Sequence, residues 1–259
     1  MTSLPADTPS VAPTIIVGPG RVGTAFARAL STEQPPPVLA GRNDVRAAVA
    51  EAETVLLCVP DAEIAAACST VAEAAPRLRF AGHTSGATRL DALDAAVARG
   101  AGAFSIHPLQ TIPGGDADLT GAPAAIAGST PEALAVARGL ANACQMAPFE
   151  VPEESRAAYH AAAAMASNFL IALEATAEQL LAAAGIEDGR ELLSPLVLRS
   201  AANWAEHGSD ALTGPIARGD EETVRRHLEA IEDVAPELAD AYRALAERTR
   251  AVASAGERR

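Results

Sequence analysis

Hydrophobic and polar positions follow two regimes along this chain. From Thr14 to about residue 150, short apolar runs recur between alanine-rich stretches with helical spacing. The run Thr14-Ile15-Ile16-Val17 predicts a buried strand, and further strands are expected at 38–40, 54–59, 79–82, 103–106 and 124–127. Strands that alternate with helices imply a doubly wound parallel sheet covered on both faces, the α/β class. Pro148, Val151 and Pro152 interrupt the pattern around a last edge strand. Beyond Glu153 only helical spacing remains, at about 153–184, 189–206, 220–230 and 236–253, with breakers at Gly185, Gly208 and Thr213-Gly214-Pro215. Asp220 is placed to cap its helix, with Glu221 and Glu222 in the first turn. The expected organisation is a Pro/Ser/Thr-rich disordered leader (1–13), a sheet domain (14–152) and an all-α domain (153–259). The stretch from Ala157 to Leu173 carries no Asp, Glu, Lys or Arg and should be buried on most of its circumference, by its own domain or by a second subunit.

The turn after the first strand carries the most specific chemistry. Gly18-Pro19-Gly20-Arg21-Val22-Gly23 reads Gly-x-Gly-x-x-Gly between a strand and a helix whose apolar stripe is Val22, Phe26, Ala29 and Leu30. Such a turn is a dinucleotide-binding, Rossmann-type fingerprint. The first glycine turns the chain, the second lets backbone approach a pyrophosphate, and the third lets the helix pack on the strand. Unpaired N–H groups at the helix N-terminus then face the phosphates. About 20 residues on, where an acid would accept the ribose hydroxyls of NAD, stands Gly41-Arg42-Asn43. Arg42 suits the 2′-phosphate of NADP, which makes NADP the expected cofactor; the alternative is NAD, with Asp44 as the acid. Cys58, Val59 and Pro60, at the end of the third strand, are expected to wall the cofactor, and Asp61 to cap the next helix.

Composition narrows the function. The 259-residue chain has a formal charge of −13 and 3% aromatic residues, which argues against a nucleic-acid partner. No apolar run spans a bilayer and no basic-then-apolar leader is present, so no membrane partner and a cytoplasmic location are expected. Cys58, Cys68 and Cys144 lack metal or disulfide spacing and read as buried thiols, with no metal site. All 20 basic residues are arginine, so no lysine is available as Schiff base, phosphate-loop cation or general acid.

Two polar clusters follow expected parallel strands, His83-Thr84-Ser85-Gly86 and His107-Pro108-Leu109-Gln110-Thr111, and so share the rim of the glycine turn. Two histidines near one crevice suit proton transfer beside hydride transfer, while each alone could be a strand-end residue bonded to its own loop. On the charge-poor helix, Tyr159, His160, Ser167 and Asn168 interrupt the apolar stretch. His160 and Asn168, eight residues apart, would share a face of one continuous helix. The candidate catalytic set is His107, His160, Asn168, His83 and Gln110. Ser85 joins the glycine turn, Arg42 and Cys58-Val59-Pro60 in the cofactor set, and Thr213 and Arg218 are candidate substrate contacts from the turn before Asp220.

These segments together resemble the Rossmann-like plus domain-of-unknown-function 2520 family of oxidoreductases, over nearly the whole chain after Pro13. The resemblance implies an N-terminal NAD(P) domain and a helical C-terminal domain like that of 6-phosphogluconate dehydrogenase and pyrroline-5-carboxylate reductase. It also implies a homodimer through the helical domain. Family members neighbour pantothenate-synthesis genes, which suggests that pathway for the substrate. Hydroxyacid dehydrogenases of the 3-hydroxyisobutyrate type carry a lysine four residues before the helix asparagine; counted back from Asn168, that position is Ala164. The expected activity is therefore NADP-dependent reduction of a small keto acid or imine without a lysine acid. The competing expectation is a non-catalytic NADP-binding sensor or regulator.

Overall fold

The computed structural model describes residues 14–32 and 35–256; the expected leader lies outside the described residues. In chain order the sheet half contains β1 (Thr14–Val17), α1 (Arg21–Ala29), β2 (Val38–Ala40), α2 (Val45–Ala48), β3 (Thr54–Leu57), α3 (Ile64–Ala74), β4 (Phe80–His83), α4 (Asp94–Val97), β5 (Gly102–Pro108), β6 (Pro123–Gly128), α5 (Pro131–Ala143) and β7 (Ala147–Glu150). The helices that follow are α6 (Arg156–Ala166), α7 (Asn168–Ala183), α8 (Gly189–His207), α9 (Glu221–Val234) and α10 (Ala239–Gly256).

Seven strands form one sheet in the order β2-β1-β3-β4-β5-β6-β7. β1 to β5 run parallel, as their apolar runs and intervening helices predict. Successive residues point to opposite faces, and this builds two cores. Ile15, Val17, Val55 and Leu57 pack under Val49, Ile64, Cys68 and Leu93. Ile16, Leu56, Phe104 and Ile126 pack under Phe26 and Leu140.

Two expectations are corrected. The sheet is not parallel throughout, because β6 pairs antiparallel with β5 and β7 follows β6. A parallel return needs a crossover, usually helical, whereas residues 109–122 contain Pro113-Gly114-Gly115 and no α-helix, so the chain doubles back beside its own strand. α5 then provides a true crossover and β7 pairs parallel with β6. Second, the helix expected at 153–184 is not continuous: a 3-10 turn at Glu153–Ser155 precedes α6, and Ser167 (φ −118°, ψ −71°) separates α6 from α7. His160 and Asn168 thus lie on different helices, and helical spacing no longer places them on one face.

Two compact units divide between Met165 and Ala166, so α6 belongs with the sheet rather than with the later helices. In the second unit Val224, Ile231, Ala239 and Ala246 are buried, and Asp220 caps α9 by accepting from the Thr223 N–H at 3.0 Å. α7 buries none of its residues, contrary to the burial expected of the charge-poor stretch within one chain.

Candidate functional site

At the C-terminal edge of β1 to β3 the three glycines do separate jobs. Gly18 has φ +110°, and a Cβ there would lie 2.3 Å from the Cys58 carbonyl oxygen, so β1 and β3 close upon one another only around glycine. A Cβ on Gly23 would lie 2.0 Å from the Gly18 carbonyl oxygen, which fixes the close seating of α1. Gly20 differs: a Cβ there meets nothing within 4 Å. Gly20 is the N-cap of α1 and its side-chain direction opens into a cavity of about 700 Å³ lined by Pro19, Arg42, Cys58, Val59 and Pro60. An uncapped helix N-terminus beside open space next to a bare glycine fits a pyrophosphate. Arg21 is exposed at the head of α1 and Val22 is half-buried. Arg42 is exposed and ion-paired to Glu63 at 2.6 Å, and both line the cavity. Burial pushes the Cys58 thiol up to about 12, so it stays protonated and serves as wall.

The β4 and β5 ends carry the histidines. His107 Nδ1 lies 2.7 Å from the Tyr159 hydroxyl of α6, and its ring packs edge-on against His160 with centroids 5.7 Å apart. A Cβ on Gly86 would approach His160 Nδ1 to 2.6 Å and His107 Nε2 to 2.9 Å, so glycine is what lets the β4 loop come up against both rings. His160 Nδ1 is buried with no hydrogen-bond partner among the described residues. Burial, then His160, then Arg156 push His107 down to about 4, while burial pushes Tyr159 up to about 12. Both are neutral near pH 7. They share one hydrogen across the 2.7 Å contact, and either tautomer leaves one neutral donor, His107 Nε2–H or Tyr159 O–H.

Beneath this pair lies Arg156, 1% exposed, which the sequence reading passed over. Its Nε donates to Glu153 Oε1 (3.0 Å), Nη1 to the Ser85 carbonyl (3.2 Å) and Nη2 to Ser105 Oγ (2.5 Å). Glu153 in turn accepts from the Leu90 N–H at 2.8 Å. This network pins the start of α6 to β5 and to the segment after β4, and so positions Tyr159 and His160. The signal available in the sequence was a charged Glu153-x-x-Arg156 pair at helical spacing just before the charge-poor stretch.

Several candidates have other work. His83 is fully buried below the rim; its Nδ1 accepts from the Ser85 N–H at 3.2 Å and its Nε2 finds no partner among the described residues. Ser85 Oγ donates to Asp61 (2.8 Å) and accepts from the Thr88 N–H (2.9 Å), so the hydroxyl is committed within its loop. Asp61 is therefore not the expected helix cap: it lies inside the 3-10 turn Asp61–Glu63, and the N-cap position of α3 is Glu63. Gln110 donates to the Asp118 carbonyl at 2.7 Å and braces the 109–122 loop. Asn168, at the start of α7, and Thr213 and Arg218, on the turn before α9, are exposed residues of the second unit. Among the described residues no His, Cys, Asp and Glu cluster could hold a metal, and no helix is long and apolar enough to cross a membrane.

His83 gives the first unit an acid dependence. Burial, then the Arg156 cation, hold its folded-state pKa at about 4, below the ordinary 6.5 of the unfolded chain. The unfolded state binds the proton more readily, so this stabilisation is complete above about pH 6.5 and is lost as pH falls towards 4, by about 3 kcal/mol for a shift of this size. Urea denaturation at pH 7 and pH 4.5 should show that loss together with a similar one from His107, and His83→Gln should remove about half of the difference. An unchanged pH slope in the variant would count against the assignment.

Residues 33–108 match the Rossmann-like domain and residues 122–249 match the Domain of unknown function (DUF2520). The chain thus combines a Rossmann-like domain with a DUF2520 domain. It has no significant match among the curated proteins. Among solved structures, protein TM1727 from Thermotoga maritima aligns with a TM-score of 0.74 at 22% identity, over 95% of this chain and 100% of that one. A reductive aminase from Aspergillus terreus, in complex with NADPH and ethyl-5-oxohexanoate, aligns at 0.67 and 18% identity over 93% and 97%. The Plasmodium falciparum pyrroline carboxylate reductase with NADP bound aligns at 0.58 and 12% over 93% and 98%. At these identities the likeness shows the fold: a mostly parallel Rossmann-like sheet followed by helices, as in NADP-dependent oxidoreductases and imine reductases.

Proposed function

We propose that this chain, with its Rossmann-like and DUF2520 domains, is an NADP-dependent reductase of a small carbonyl or imine compound. The observation that carries the reading is the pairing of a glycine cradle at β1–α1 with a polar cluster, His107, Tyr159 and His160, at the end of β5 on the same sheet edge. Gly20 and the α1 N-terminus would hold the pyrophosphate, Arg42 the 2′-phosphate, and Val59 and Pro60 the wall beside the ribose. A bound nicotinamide supplies the hydride. The chain's own task is then to orient the substrate and stabilise the oxygen or nitrogen that receives electrons.

The His107–Tyr159 pair supplies one neutral hydrogen-bond donor, and burial keeps competing ionised forms low near pH 7. No lysine is needed for that step. A protonated imine would require still less of the pair, only positioning, because it already carries the proton that a carbonyl must receive. The small substrate is drawn from keto acids, ketones and imines, with pantothenate-related keto acids first on the panel because of the family resemblance.

The test is consumption of NADPH absorbance against a panel of keto acids, ketones and ketone–amine mixtures, alongside calorimetric titration of NADPH. Turnover of one class with saturable kinetics supports the reductase. Tight NADPH binding with no turnover across the panel would replace it by the sensor reading.

A homodimer through the helical unit belongs to the same proposal. α7 and α8 expose Phe169 (61%), Ile171 (69%), Leu196 (63%), Leu198 (70%) and Trp204 (68%), more apolar surface than a monomer ordinarily leaves in water. Light scattering at micromolar concentration should return twice the chain mass, and a monomer would refute it.

A further inference from the structure

The charged residues lining the cavity at the glycine turn are Arg42 and Glu63, and they are paired with each other at 2.6 Å. Arg42 follows β2, while Glu63 ends the 3-10 turn after β3 and is the N-cap position of α3. The two come together from separate loops 21 residues apart, at the end of the cavity where β2 and β3 flank β1. We infer that Glu63 is a specificity-determining residue that opposes Arg42 and restrains this chain's preference for NADP over NAD; the inference rests on the NADP reading above.

A 2′-phosphate carries nearly two negative charges, and a guanidinium can bind it with two parallel hydrogen bonds. In this structure one edge of that fork is taken at Nη2 by a carboxylate, so a phosphate must either displace Glu63 or bind the other edge of the guanidinium, and in both cases tolerate the carboxylate's charge nearby. A ribose with a free 2′-hydroxyl faces neither cost, because a carboxylate is the acceptor such a hydroxyl uses. One subsite thus holds the determinant for each cofactor.

Displacement has a defined destination. Glu63 makes no side-chain capping bond to α3 in the paired state, and a carboxylate freed from Arg42 is favoured at that helix start by the positive end of its dipole. Both side chains of the pair are well exposed, 82% for Arg42 and 46% for Glu63, so each electrostatic contribution is modest and screened by salt. Freeing Arg42 and removing the repulsion each change affinity by up to about fivefold, giving an expected gain of about three- to tenfold when Glu63 loses its charge.

The experiment is calorimetric titration of NADPH and NADH against the full chain, wild type, Glu63→Gln, Arg42→Ala and the double variant. Glu63→Gln is expected to tighten NADPH about three- to tenfold while NADH binding stays level or weakens, and 0.5 M salt should shrink the gain. An unchanged NADPH-to-NADH ratio in Glu63→Gln, with Arg42→Ala still weakening NADPH selectively, would overturn the role of Glu63 and leave the NADP reading intact. If Arg42→Ala leaves the ratio unchanged, the NADP reading itself fails, whatever Glu63→Gln does. Equal gains for both cofactors would also overturn the inference, since they would mark a general charge effect rather than selection at the 2′ position.

Discussion

Glu153→Ala is expected to destabilise the first compact unit by about 3–5 kcal/mol, the usual result of leaving a buried charge without its partner. The guanidinium of Arg156 is 1% exposed, and Glu153 is the carboxylate paired with it at 3.0 Å. The Leu90 N–H loses its acceptor in the same variant. Arg156→Met should cost less, because Glu153 is 26% exposed and can turn to water, while methionine fills part of the vacated space without a charge. Chemical denaturation checks the order. If Arg156→Met proves the more damaging, the guanidinium's bonds to Ser85 and Ser105 outweigh its ion pair. The methionine variant also carries a second readout: with the cation gone, His107 and His83 should titrate nearer 6.5, visible in imidazole NMR shifts.

Tyr159→Phe and His107→Ala are expected to lower turnover about 10²- to 10⁴-fold once a substrate is in hand, the range over which a positioned proton donor contributes. Binding of NADPH should stay within about twofold, since neither side chain lines the cavity at the glycine turn. The two losses should not add. One member of the pair is the outward donor and the other orients it across the 2.7 Å contact, so once the donor is gone the orienting partner has nothing to act on and the double variant should fall little below the worse single variant. His160→Ala removes a ring packed against His107 without a hydrogen bond to it, so a smaller loss is expected there. Thermal stability measured beside rate separates a catalytic loss from a folding defect. Retention of more than about a third of wild-type turnover by both Tyr159→Phe and His107→Ala would remove the pair from the chemistry.

Local pattern was enough to read the sheet half of the fold. β2 falls at Val38–Ala40, where the run of apolar residues sits, and the glycine turn falls between β1 and α1. Strand alternation and turn glycines act over a few residues, so their signal is complete in the sequence. The reversal at β6 was legible only in part, as an absence of helical spacing between Leu109 and Ala122.

The chemistry-bearing side chains were visible as residue types and not as partners. His107, Tyr159 and His160 could be picked out because polar groups stand out against alanine, yet the hydrogen bond joining residues 107 and 159 depends on how α6 docks. That docking rests on Arg156 reaching Ser85 and Ser105, 71 and 51 residues away in the chain. His83 and His107 look equivalent as strand-end histidines, and only packing separates them: one is sealed under the rim, the other meets a tyrosine at it. By itself the sequence determined the strand–glycine–helix cradle, the absence of lysine and the arginine after β2, because covalent order and local backbone geometry suffice for these. The tertiary structure alone decided that α6 joins the sheet, that Arg42 meets Glu63 and that His107 meets Tyr159, because burial and pairing between distant segments follow from how faces pack rather than from any spacing along the chain.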